Sequence, residues 1–334
     1  MKAIIREGPD LIEYSAVGEV VESSSWIELS EKLVSGKTWV GFIPYEMGID
    51  KAFFFEAKES HKISDIIPFK KPELSCVKPF DSRECYIEKV AKIIEAILDG
   101  DVYQVNLSHE SQYKGKLDPY GLFLKLSHNP YSAYFDTGSK QFISGSPEKL
   151  LSRRDQRLES CPIKGTAPSG KGEELLASFK DQAELNMITD LVRSDLSWIS
   201  EVGSVNVLSE RTKTDYPHIH HLHSVIEAKS DLHPIKCIEA LFPGGSITGC
   251  PKKAAMHFID DLEKRKRGIY TGSIGIIYPN QDFLFNIAIR TLIYENEILS
   301  WSLGGGITID SDPNLEWEET MAKGKEIAGL LFDN

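Results

Sequence analysis

The stretch SIGIIYPNQDFLFNIAIRTLIYENEILSWSLGGG, Ser273–Gly306, decides the fold class. Ser273–Tyr278, Phe283–Tyr294 and Ile298–Gly304 read as three successive strands, rich in Ile, Leu, Phe and Tyr. Only Pro279–Asp282 and Glu295–Glu297 separate them. Connections that short leave no room for a crossover helix, so neighbouring strands pair antiparallel. Further upstream, Val102–Ser111 alternates as a strand. Gln104, Asn106 and Ser108 lie on one side, and Tyr103, Val105, Leu107 and His109 on the other. Tyr131–Phe135, Gln141–Ser144, Val205–Leu208 and Ile219–Ala228 also read as strands. Helical spacing marks Ser82–Asp99, with Ser82 as cap and Gly100-Asp101 as stop, and then Glu173–Ile199, Lys252–Lys266 and Leu315–Phe332. The order is not a strict βαβ series. It predicts an α+β protein with antiparallel sheets backed by helices.

Composition narrows the function. The chain has 334 residues, 41% hydrophobic and 26% charged, enough apolar material for a sizeable core and too much for disorder. Its 38 basic and 50 acidic residues give a net charge of −12, which disfavours nucleic acid and anionic membranes as partners. No apolar run approaches a bilayer span, and the N-terminal residues lack a secretory pattern. Five cysteines without a C-x-x-C pair fit reduced thiols. Together these predict a cytoplasmic location. Residues 1–75 read as a β-rich segment integrated with a main body at 76–334, and Ser60–Pro72 is the best candidate linker.

Several clusters can carry chemistry. Glu316, Glu319 and Lys323 fall within roughly 60° of arc on one helix face. Asp181 and Glu184 repeat the i, i+3 spacing on another helix. Taken alone, each is an ordinary solvated face. Together the two acidic edges suit a hard cation such as Mg²⁺, which takes oxygen ligands and an anionic substrate. Phe242–Lys253, FPGGSITGCPKK, is glycine-rich before a helix. Its backbone N–H groups could hold an anion, with Ser246, Thr248 and Lys252 nearby, although it is no P-loop. Gly304, Gly305 and Gly306 allow close backbone approach to a ligand. Lys164 stands between proline and glycine in PIKGT; it is either a surface lysine or a tuned nucleophile. His218, His220, His221 and His223 form a dense cluster without a completed zinc set. Lys264–Arg267 reads as a solvated helix end.

In this order the pieces resemble the chorismate-utilising enzymes. The resemblance runs from about Tyr86 onward through DVYQVNLS, SGSPEKL, PIKGT, AELNMITDLVRSDL, FPGGSITGCPKKAAM, IAIRT, GGGITIDSDP and EWEETMAK. It implies two packed antiparallel sheets flanked by helices, with a chorismate site in the cleft. Lysine at 164, where anthranilate synthases carry alanine, implies the aminodeoxychorismate synthase branch. Gln104, where isochorismate and salicylate synthases carry a water-activating lysine, implies amination over hydration. The alternative within the family is anthranilate synthase component I.

The resemblance also implies roles. Glu184 and Glu319 would hold Mg²⁺, supported by Asp181 and Glu316. Glu148 would be the general acid and Lys164 the nucleophile. Tyr270, Arg290 and Gly304–Gly306 would meet the enolpyruvyl carboxylate. Ser246, His221 and Lys323 match other substrate positions. Ammonia would come from a separate glutamine amidotransferase subunit, since no amidotransferase signature is present in this sequence. The chain departs from the family pattern at Asp181 (usually glutamate), at Ser194 (usually asparagine) and at Ile276, where G-Y is common. Its N-terminal segment is shorter than in many relatives, and the resemblance leaves open whether tryptophan binds.

Overall fold

A computed structural model describes residues 1–63, 68–168, 172–215 and 219–333, with the side chains of 166–168, 174–175, 179–180, 215, 219 and 221 outside that description. Among the described residues, eighteen strands join by antiparallel pairing into one ribbon that folds back on itself. One leaf holds Lys149–Arg154, Phe283–Asn286, Ser273–Ile277, Thr38–Ile43, Ala52–Lys62 and Asp10–Ser23, paired in that order. The other holds Lys2–Glu7, Ala133–Asp136, Lys140–Ser144, Thr291–Glu295, Ile298–Ile307 and Gln104–Lys114. The hairpin between Lys2–Glu7 and Asp10–Ser23 makes the leaves continuous. The two expected sheets are therefore two leaves of a single hydrogen-bonded ladder, and the α+β fold class stands.

Strand alternation sorts the side chains into layers. In Ala52–Lys62, Ala52 and Phe54 face one way, while Phe53, Phe55 and Ala57 face the other. The second set meets Phe135 and Phe142 of the opposite leaf, with Phe42 edge-on to both at 5.2 and 4.7 Å. The first set packs under helices Trp26–Lys32, Phe179–Ser197 and Pro234–Leu241. The outer face of the second leaf is covered by Pro119–Leu126 and Lys325–Leu331. Helices therefore close the sandwich on both sides, as two-faced apolar strands require.

The N-terminal segment contributes strands to both leaves: Lys2–Glu7 pairs with Ala133–Asp136, and Thr38–Ile43 with Ser273–Ile277. Ser82 caps Arg83–Leu98 as the spacing predicts, by accepting from the Cys85 N–H.

Three expected elements are divided. Glu173–Ile199 becomes Gly172–Ala177 and Phe179–Ser197, because Ser178 leaves the helical region and accepts from the Asp181 N–H. Phe283–Tyr294 breaks at residues 287–290, where Arg290 adopts φ 50°. Leu315–Phe332 breaks at Gly324, whose Cβ would meet the Trp301 ring at 2.9 Å.

The basic run corrects another expectation. Helix Lys252–Glu263 ends when Lys264 turns left-handed. Lys266 alone pairs at the surface, with Asp50 at 2.6 Å. Arg267 is buried, so the run is not a solvated helix end.

Candidate functional site

A cavity of about 150 Å³ opens where the two leaves meet helices Phe179–Ser197 and Pro313–Lys323. Each wall is set by local geometry. Lys164 lies on strand Ile163–Pro168, where the register against Ile219–Lys229 slips between Lys164 and Thr166 and Gly165 takes φ 76°. Such a bulge re-aims a side chain. The Lys164 Nζ thereby reaches the cavity, donating to the Ser246 carbonyl at 3.1 Å and standing 4.0 Å from Glu184 Oε2. Ser246 belongs to the short turn of helix Gly245–Thr248.

Glu148 enters beside Lys164, just before strand Lys149–Arg154. Its backbone is clamped twice. Its N–H donates to Ser146 Oγ at 3.1 Å, and its carbonyl accepts from Ile287 N at 3.0 Å. Its carboxylate accepts from Ile163 N at 3.3 Å. The side chain is buried, and desolvation pushes its pKa up to about 7 against the opposing pull of Ser246, Lys164 and the Ile163 N–H.

The acidic wall comes from two helices. Ser178 fixes the start of the helix that brings Asp181 and Glu184 to the cavity one turn apart. Asp312 caps Pro313–Lys323 by accepting from Asn314 and Leu315 N–H groups, and that helix presents Glu319 and Lys323. Glu319 and Lys323 pair at 2.8 Å. Lys323 also reaches the Gly304 carbonyl at 3.4 Å. Glu316 shares their helical face but lies deeper, accepting from Ser311 Oγ at 2.6 Å.

The glycine cluster is crowded by the protein itself. A Cβ on Gly306 would lie 2.4 Å from Gln104 Nε2 and 3.2 Å from Lys164 Nζ. A Cβ on Gly305, which faces the other way, would lie 3.2 Å from Thr320 Oγ1. The glycines seat Gln104, Lys164 and the terminal helix as well as lining the cavity at Gly304 and Gly306. Gln104 is buried and donates to Glu184 at 3.5 Å. Tyr270 and Arg290 complete the rim. Arg290 is held on its left-handed turn, with Glu326 at 3.9 Å.

The structure thus brings Glu148, Lys164, Asp181, Glu184, Ser246, Tyr270, Arg290, Gly304, Gly306, Glu319 and Lys323 to one cavity. Gln104, Gly305 and Glu316 stand immediately behind it. The side chain of His221 and all of His218 lie outside the described residues. Two members of the glycine-rich anion expectation point elsewhere. Lys252 pairs with Asp195 at 2.9 Å, and Thr248 bonds back to the Gly244 carbonyl. Asn106, Ser302 and Ile289 also line the cavity, though sequence reasoning did not single them out. Asn106 was legible in principle, since it shares the Gln104 side of its strand.

Among the described residues no three His, Cys, Asp or Glu side chains are grouped as a ready metal site. The donors that face the cavity are carboxylate oxygens, which is the chemistry a hard divalent cation accepts when substrate and water fill its remaining positions. Among the described residues, no helix is long and apolar enough to cross a membrane.

Residues 55–329 match the model of the chorismate binding enzyme family. The chain is 38% identical over 268 residues to aminodeoxychorismate synthase component 1 of Bacillus subtilis, covering 76% of this chain and 57% of that protein. It is also 38% identical over 263 residues to an anthranilate synthase component 1 of Haloarcula marismortui, covering 75% and 54%. The chain thus spans a little over half the length of these relatives. Its fold matches the crystal structure of a putative 2,3-dihydroxybenzoate-specific isochorismate synthase from Bacillus anthracis. There the TM-score is 0.84 at 22% identity, over 98% of this chain and 95% of the other. The chain belongs to the chorismate binding enzymes, in the group that holds the anthranilate and aminodeoxychorismate synthase components.

Proposed function

We propose that the cavity aminates chorismate with ammonia and that Lys164 directs the product to 4-amino-4-deoxychorismate. One observation carries this reading: a buried lysine and a buried, proton-holding glutamate converge on a single cavity. Glu148, with its pKa near 7, can give a proton to the departing C4 hydroxyl, which leaves as water. Lys164, once deprotonated, forms a bond from Nζ to C2 as the C4–O bond breaks. Ammonia then bonds at C4, and the C2–Nζ bond breaks to free the lysine. Gln104 lacks a basic nitrogen, which argues against activation of water at that position.

Arg290, Tyr270 and the Gly304–Gly306 backbone would meet the enolpyruvyl carboxylate, and Lys323 would stand near the metal-bound ring carboxylate. Mg²⁺ would be held by Glu184 and Glu319, with Asp181 and Glu316 behind them, and would supply positive charge for the ring carboxylate. A local cation is physically reasonable here, because the −12 chain otherwise repels a dianion. The ammonia would come from a separate glutamine amidotransferase subunit.

The second reading is anthranilate synthase component I. The comparisons favour it at least as much, since a relative of that name matches at the same 38% identity. In that reaction Glu148 keeps its role and Lys164 is dispensable. The two separate by incubating the purified chain with chorismate, Mg²⁺ and ammonium, then resolving products by chromatography with mass detection. 4-Amino-4-deoxychorismate supports the lysine route. Fluorescent anthranilate removes it and leaves the acid and metal roles standing. No turnover of chorismate removes both.

A further inference from the structure

Behind the cavity lies a second cluster of charges, Glu263, Arg265 and Arg267, none of which lines it. Arg267 is fully buried, and its guanidinium reaches two backbone carbonyls, the Glu263 carboxylate and, at 3.4 Å, Thr271 Oγ1. Nη1 donates to the Ile247 carbonyl at 2.8 Å, and Nη2 to the Asn106 carbonyl at 2.7 Å. Nε and Nη2 bond Glu263 at 3.1 and 2.6 Å. Glu263 in turn accepts from the Ser108 N–H and hydroxyl, both at 2.8 Å. Arg265 donates to the same hydroxyl at 2.7 Å and lies over the Tyr270 ring at 5.8 Å.

The two carbonyls belong to separate elements, strand Gln104–Lys114 and helix Gly245–Thr248, that both contribute to the cavity wall. Asn106 and Ile247 both line it, and Ser246, the residue before Ile247, supplies the carbonyl on which Lys164 rests. A planar fork can satisfy two carbonyls and a carboxylate in fixed relative positions, which a point-charge ammonium cannot do. A buried ion pair is by itself weak evidence of stabilisation. This one is aimed at the backbone of two segments that line the cavity holding the proposed nucleophile.

We propose that Arg267 is a positioning residue for the amination site. By holding the Asn106 and Ile247 carbonyls, it fixes the Ser246 carbonyl that aims Lys164 and the strand that carries Gln104. The assignment rests on the reading of the cavity as the site of chorismate amination.

The test compares wild type, Arg267→Lys and Leu29→Ala, with kcat, KM and thermal midpoint measured for each. Leu29 is the buried residue of helix Trp26–Lys32, does not line the cavity, and reports what lost stability alone does. Arg267→Lys keeps a cation for Glu263 but loses the fork. A positioning role predicts a fall in kcat of about 10²-fold with KM little changed, while Leu29→Ala loses thermal stability and keeps its kcat at 25 °C. A fall of less than about tenfold, or one that Leu29→Ala reproduces, overturns the assignment. Should Arg267→Lys fail to fold, Arg267→Met with Glu263→Gln removes both charges together and is judged by the same criterion. Failure of the underlying reading is distinguishable, because it appears as absent turnover in the wild type.

Discussion

Two charged clusters meet the Gln104–Lys114 strand and are built to different standards. In the Glu263–Arg267 cluster the two contacts between the carboxylate and the guanidinium are 3.1 and 2.6 Å, and the carboxylate is also capped by the Ser108 N–H and hydroxyl. In the cavity cluster Lys323 pairs with Glu319 at 2.8 Å and Lys164 donates to the Ser246 carbonyl at 3.1 Å, while Lys164 stands 4.0 Å from Glu184, Gln104 3.5 Å from Glu184, and Lys323 3.4 Å from the Gly304 carbonyl. The first is a finished buried pair, its carboxylate held below the usual range by Arg267 against the cost of burial. The second is arranged around the cavity. Its groups line an open volume, and its glutamate Glu148 is held towards the neutral form where Glu263 is held charged. Burial alone therefore does not decide protonation; the presence of a matched guanidinium does.

The largest expected effect breaks the open cluster. If Lys164 is the nucleophile, Lys164→Ala loses formation of 4-amino-4-deoxychorismate by about 10⁴-fold or more, more than proton transfer alone supplies. Full retention of that product in a single-turnover assay would sink the covalent route. The same variant that shifts output to anthranilate would show that the lysine selects the branch.

Glu148→Gln sharpens the contrast in two directions. Without a transferable proton, turnover should fall by about 10²–10⁴-fold. In the wild type the active, protonated form is lost as pH rises through about 7, so kcat at constant free ammonia should decline there. The stability sign is the opposite of that of a paired carboxylate. A folded pKa raised above 4.5 contributes stability below that value, and the contribution disappears as pH rises through about 7. Glutamine cannot ionise, so above pH 7 Glu148→Gln should be more stable than wild type by up to about 3 kcal/mol. Denaturant melts at pH 5 and 8 measure this, and an equal difference at both pH values would contradict it.

Metal dependence comes next. Chelation should abolish turnover and Mg²⁺ should restore it, if the open carboxylates hold the ion. Glu319→Gln should raise the Mg²⁺ concentration needed for half-maximal rate by about tenfold or more. An unchanged requirement would leave Glu319 as a partner of Lys323 only.

Much of this contrast was legible in the sequence, and the reason for the rest is physical. Helical spacing placed Asp181 with Glu184 and Glu319 with Lys323, because i, i+3 and i, i+4 neighbours share a face wherever the helix packs. Antiparallel strand succession in Ser273–Gly306 pointed to antiparallel sheets backed by helices, but not to one continuous ladder, since pairing between Lys2–Glu7 and Ala133–Asp136 spans over a hundred residues. Depth was not legible either. Glu316 and Glu319 lie on one face, yet the first is buried and the second exposed, because the helix descends from the cavity mouth towards the Ser311 turn. Arg267 was misread because its run of four basic residues looks uniform. The signal was its spacing from Glu263: the chain leaves the helix at Lys264 and still returns Arg267 to that carboxylate.

The smallest expected effect tests how the open cluster is held. Ser178 both splits the long acidic helix and satisfies the Asp181 N–H, so it sets where the helix starts relative to the cavity. Removing such a cap typically costs about 1 kcal/mol. Ser178→Ala should therefore lower stability by that amount in a chemical melt. The loss should fall on the first turn, which carries Asp181, while Glu184 one turn further in keeps its place. The consequence for activity is then a modest rise in Mg²⁺ requirement with kcat nearly preserved. A variant that instead lost kcat in proportion to Lys164→Ala would mean that the cap sets the geometry of the whole acidic wall. The open cluster would then be as rigidly built as the closed one, and its longer contacts would reflect room left for a ligand rather than freedom to move.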